Sequence, residues 1–186
     1  MKNVFGAPLE ACSTDPTDMR GSWDRAYKCS ETNPQSGVHQ ICARIPSDFS
    51  VETGQSNWSE PRARKNANHC LCLGAYALYT AKGKKVHVKC DSVPEVALTA
   101  RYIEKWGTWN GHEKDLQIRD GVKDLVRQCS KQAPNAAATQ HLGQLCRQLQ
   151  SQLGTHPTLA GMHSDLGCPA EERLGSSGAP NNLPFK

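Results

Sequence analysis

Five cysteines and two histidines in the first 72 residues are the side chains here whose types and spacing suit chemistry: Cys12, Cys29, His39, Cys42, His69, Cys70 and Cys72. Zinc takes four soft or borderline ligands in a tetrahedron, commonly from two closely spaced pairs. His39-x-x-Cys42 and Cys70-x-Cys72 supply that number, with Cys29 as a further donor. Against this, two residues i and i+2 on a regular helix diverge by roughly 200°, so Cys70 and Cys72 share an ion only in an irregular first turn. A second use of the same residues is thiol chemistry. A helix N-terminus favours thiolate, Arg62, Arg64 and Lys65 add positive charge nearby, and a nucleophilic Cys70 or Cys72 would need a histidine such as His39 or His69 as base. The third reading is that these are buried structural thiols, small hydrophobes in a core.

The surrounding pattern predicts the elements that hold them. Residues 3–37 are rich in Pro, Ser, Thr, Asp and Gly and read as a loop-rich lobe. Val38 to Ile45 reads as a strand ending at Pro46, and residues 47–61 as loop anchored by Trp58. From Asn68, apolar Leu71, Ala75 and Leu78 predict a helix closed by Gly83, so Cys70 and Cys72 fall in its first turn. Lys84 to Cys90 alternates like a half-buried strand. Ser92, Pro94 and Glu95 open a further helix that ends near Gly107. Two amphipathic helices follow, over 114–129 and 136–153, joined by a short turn at Pro134-Asn135. Trp106 and Trp109 flank the preceding turn as packing residues. The expected fold is α+β: a cysteine-containing domain over 1–112, an amphipathic helical hairpin over 113–153, and a flexible or surface-draped tail over 154–186.

With 186 residues, mean hydropathy of −0.62 and 22% charged side chains, the chain is expected to be one soluble domain with an extension. No apolar run approaches the ~20 residues of a membrane span. The N-terminus lacks the apolar core of a secretory signal, so the expected location is the cytoplasm, or an organellar matrix or stroma after removal of a targeting segment. An odd cysteine count and no export signal favour free thiols or metal ligands over disulfides. Net charge is −3 over residues 1–60, +7 over 61–90 and zero thereafter. Arg62, Arg64, Lys65, Lys82, Lys84 and Lys85 therefore form the candidate binding surface, toward a protein partner first and nucleic acid second.

Phosphate-loop, dinucleotide-binding, Cys-x-x-Cys and nucleophile-elbow motifs are absent, which takes most of the weight from cofactor-driven enzyme classes. Three blocks nevertheless form a recognisable set: Asn3 to Pro16 (NVFGAPLEACSTDP), Gly37 to Ala43 (GVHQICA) and Cys70-Leu71-Cys72. Together they resemble a bacterial family, also found in algae and plants, catalogued as a domain of unknown function. The resemblance covers roughly residues 3–105. It implies a small cytosolic α+β domain with its cysteines near one another, and no assigned activity. The expected function is a non-enzymatic binding or accessory protein that docks on a larger partner through the basic segment or the helical extension. A thiol enzyme or redox protein using Cys70 and Cys72 with His39 is the alternative. A zinc-stabilised module, with ligands among Cys29, His39, Cys42, Cys70 and Cys72, is the third.

Overall fold

In a computed structural model, residues 1–15, 22–107, 116–162 and 165–170 are described. Trp109 and the tail beyond Ala170 lie outside them. The fold is α+β: a three-stranded antiparallel sheet in the order β2-β1-β3, with β1 His39–Arg44, β2 Asn68–Cys72 and β3 His87–Val88. Among the described residues six α-helices accompany it: α1 Phe49–Glu52, α2 Ser59–Arg64, α3 Leu73–Ala81, α4 Ala100–Trp106, α5 Leu116–Gln132 and α6 Ala136–Thr155.

The central strand is placed where alternation predicts it, but β2 is a correction. Asn68 to Cys72 pairs with β1 as a strand, and helix α3 begins only at Leu73 with Cys72 as its N-cap. The opening of the following segment also differs. Ser92 and Glu95 lie in short 3₁₀ turns, and α4 starts at Ala100, capped by Thr99, whose side chain accepts from Tyr102 N. Ser92 instead donates to Ala11 O, and Glu95 pairs with His141 Nε2 at 2.8 Å.

The hairpin helices are where their periodicity predicts, and their apolar faces enter the main core. Ile118, Val122, Leu125, Val126, Leu142 and Leu149 are buried together with Ile41, Leu71, Leu73, Tyr76 and Ile103. Helix α5 lies so close to α3 that a Cβ on Gly121 would stand 2.6 Å from Ala77 Cβ. It also completes the sheet edge. Gln128 donates to Val86 O and accepts from Val88 N, and Gln132 donates to Val88 O and accepts from Cys90 N. Two amides one helical turn apart thus satisfy backbone groups of a two-residue strand that would otherwise present an open edge. Part of the chain after α6 is packed as well, with Leu159 and Leu166 buried.

Four disulfides overturn the free-thiol expectation: Cys12–Cys42, Cys29–Cys70, Cys90–Cys129 and Cys146–Cys168. The physical reason is tertiary. Partners separated by 22 to 41 residues are brought to Cα distances of 5.5 to 5.6 Å by the sheet and helix packing, which local spacing does not encode. Cys72 remains a buried thiol. Cys12, Cys29, Cys42 and Cys70 form, with Trp23 and Tyr27, a second small core beside the main one.

Candidate functional site

The sequence candidates separate into two places. Cys29, Cys42 and Cys70 are consumed by disulfides, so as they stand they are neither zinc ligands nor nucleophiles. His39 and Cys72, by contrast, are direct partners across the β1–β2 ladder. The register there is irregular between His39 and Ile41, leaving Gln40 as the extra residue of a bulge, the device that commonly re-aims a side chain at a sheet end. Both residues line a cavity of about 220 Å³ together with His69, Trp58, Arg62 and Phe49.

Each wall has a local cause. Helix α1 brings Phe49 against Trp58, 5.9 Å between ring centroids, and a serine pair fixes the loop between them. In that pair Ser50 and Ser59 hydroxyls lie 2.9 Å apart, and Ser50 Oγ accepts from the backbone of Trp58 and Ser59. Helix α2 then carries Arg62 back over the Trp58 ring at 5.4 Å, where its Nη1 donates to Trp58 O at 2.9 Å. Strand β2 supplies His69, which packs against Trp58 at 4.7 Å and edge-on to Trp23 at 6.0 Å.

The electrostatics follow from burial. His69 is 6% exposed, and desolvation, aided by the Arg62 charge and by His39, pushes its pKa down to about 3. Desolvation pushes His39 down to about 4. The Cys72 thiol is 3% exposed and burial pushes it up to about 11, despite its accepting from Ala75 N at 3.5 Å in the N-cap position. At neutral pH both imidazoles and the thiol are therefore uncharged, and Cys72 is held away from the thiolate that nucleophilic or redox chemistry requires. His39 Nδ1 is engaged with Gln35 Oε1 at 3.0 Å, and His69 Nε2 lies 3.3 Å from Ser22 Oγ. His69 Nδ1 is buried and has no hydrogen-bond partner among the described residues.

The basic segment stays mostly at the surface, and part of it is paired with carboxylates of the same chain. Arg64 pairs with Glu60, Lys82 with Glu52, and Lys84 with Asp48 and Glu52, while Arg62 belongs to the cavity. Lys85 lines a separate groove against α5, and Lys65 a small pocket beside Cys12. Trp58 and Arg62 carried sequence signals, as a loop anchor and as part of the charge cluster. Nothing in the pattern of residues 47–61 showed that the two would stack. Among the described residues, no helix is long and apolar enough to cross a membrane.

The family described as an uncharacterized protein conserved in bacteria (DUF2237) matches residues 2–106, more than half of the chain, and the chain belongs to that family. No curated protein and no solved structure matches.

Proposed function

We propose that this member of the family is a binding protein whose ligand is a small monocarboxylic acid with a compact apolar part, held in the cavity between β2, α2 and α3. The observation that carries the reading is that His69, a residue of the cavity wall, has a buried Nδ1 with no hydrogen-bond partner among the described residues. A buried polar atom without a partner costs about 1–3 kcal/mol, a deficit that a ligand oxygen makes good. The rest of the wall selects the ligand. With both imidazoles neutral, Arg62 is the charged residue among those that line the cavity, and a guanidinium, with five N–H donors, can take a carboxylate beside the partners it already has. Trp58, Phe49 and Leu71 offer an apolar surface. A volume near 220 Å³ is below the ~300–1,000 Å³ of ordinary ligand pockets, which limits the ligand to a single ring or a short chain.

Docking on a larger partner through the basic segment or the hairpin has less support. Arg64, Lys82 and Lys84 are engaged by carboxylates of the same chain, and the apolar faces of α5 and α6 are spent on its own core. Thiol catalysis has less support because Cys72 is neutral and Cys70 is bridged.

Calorimetric titration of the oxidised full-length chain with benzoate and short aliphatic monocarboxylates, each beside its primary amide, tests the reading. One site per chain is expected, with amides at least ten-fold weaker and Arg62→Met losing most of the affinity. If no acid in this panel binds, or if the amides bind equally, the reading fails.

A further inference from the structure

Two of the four disulfides differ from the rest in being neighbours. The sulfurs of Cys12, Cys29 and Cys70 all lie within 4.8 Å of one another, and Cys42 is bonded to Cys12. Among the described residues no other three histidine, cysteine or carboxylate side chains are so placed. We infer that Cys12, Cys29, Cys42 and Cys70 form a redox-gated metal site: two disulfides when oxidised, and a tetrathiolate that binds one Zn²⁺ when reduced.

Four features support this. The ligands arrive from four separate segments, two loops and strands β1 and β2, with Cys42 and Cys70 directly opposite in the ladder, so the frame that gathers them does not depend on the S–S bonds alone. The sulfurs of a tetrahedral zinc thiolate stand about 3.8 Å apart, given Zn–S bonds of about 2.3 Å, so Cys12, Cys29 and Cys70 need only small side-chain movements, while Cys42, released from Cys12, must turn its sulfur toward the other three. All four residues are no more than 1% exposed and are walled by Trp23, which shields a reduced site from competing water. Finally, a pocket of about 240 Å³ opens beside Cys12 and is lined by Lys65 and Lys89. It offers an entry path.

The chemistry balances with a dithiol reductant. Two dithiols reduce the two disulfides to four thiols and become two disulfides themselves, and Zn²⁺ then binds the four sulfurs with release of four protons. Cys72 has no part in this site, but Cys70 also lines the cavity, so the two readings are separated by the state of the chain: the cavity ligand is tested on the oxidised protein and the metal on the reduced one.

The full-length chain, reduced with a phosphine under inert gas and freed of reductant, is titrated with Co²⁺. One Co²⁺ per chain is expected, with the charge-transfer and ligand-field absorption of a tetrahedral thiolate, displaced by one Zn²⁺; the oxidised chain gives no such signal. Cys72→Ser and the double variant Cys146→Ser/Cys168→Ser should keep the signal, and Cys12→Ser/Cys42→Ser should lose it. Alkylation of the reduced wild-type chain with and without Zn²⁺ reads the same site without any variant, and protection of residues 12, 29, 42 and 70 is expected. Absence of the tetrahedral signature in the reduced wild type, or zinc protection of a different set of cysteines, overturns the inference.

Discussion

At the cavity wall burial moves two kinds of titratable group in opposite directions, and pH separates their effects on stability. For His69 the folded pKa of about 3 lies below the ordinary 6.5, so the unfolded chain binds more protons between those values. The stability this represents is complete above pH 6.5 and is lost as pH falls toward 3; for one buried imidazole it is about 5 kcal/mol. His39, lowered to about 4, adds in the same window. His69→Phe keeps an aromatic ring between Trp58 and Trp23 and removes the titration. Urea unfolding across pH 3 to 7 should show a shallower acid slope in the variant, and an unchanged slope would mean that His69 is already solvated. Cys72 has the reverse sign: its contribution is present below the ordinary 9.0 and is lost as pH rises through about 11. With eight of nine cysteines bridged, one thiol per unfolded, unreduced chain should react with an alkylating agent, and almost none in the native chain at pH 7. The spacing of His39 and Cys72 identified them as chemically capable. Cys70 lines the same cavity but as half of a disulfide, which spacing does not show, because Cys-x-Cys looks alike whether it opens a helix or ends a strand and the partner of Cys70 is 41 residues away.

The same ambiguity operates on whole elements. Asn68 to Cys72 carries apolar residues compatible with the helix that follows, so the helical period runs back through it; pairing with β1 overrides that local preference. Helices α5 and α6 were legible because long amphipathic repeats have no such competitor, and Asn135 caps α6 by accepting from Ala138 N at 2.9 Å. What periodicity does not reveal is how tightly α5 is seated. Gly121 faces Ala77 with no room for a methyl group, since the Cβ would come within 2.9 Å of the Ala77 Cα. Gly121→Ala raises helix propensity, worth up to about 1 kcal/mol, yet forces α5 away from α3 and disturbs the amides that cover β3. Overpacking of this kind typically costs about 1–3 kcal/mol. A net loss is expected from the urea midpoint of the oxidised protein, and a gain would show that the two helices separate without penalty.

Across the whole molecule, the sequence suggests a domain with a helical extension, while the packing builds one core from both. The boundary near residue 112 looks like a junction because the family match stops at residue 106 and a different periodicity begins. The contacts that cross it are nonlocal: the α3–α5 packing, the Gln128 and Gln132 amides on β3, and the Cys90–Cys129 bridge. The bridge gives a way to decide whether the hairpin is a cooperative part of the fold. Closing a loop of 39 residues restricts the unfolded chain by an amount worth about 2–4 kcal/mol. In Cys90→Ala/Cys129→Ala that stabilisation is lost, but the buried leucines and the two glutamines still join α5 to the sheet. The expected result is a lower urea midpoint with a single transition, coincident when followed by helix content and by tryptophan fluorescence, because Trp23, Trp58 and Trp106 all lie outside the hairpin. An independent extension would instead lose helix content first, while the fluorescence of the tryptophan-bearing part stayed native to higher urea. Cavity binding of benzoate in the double variant should stay within about two-fold of the parent in the absence of urea, since none of the cavity's lining residues lies in α5 or α6.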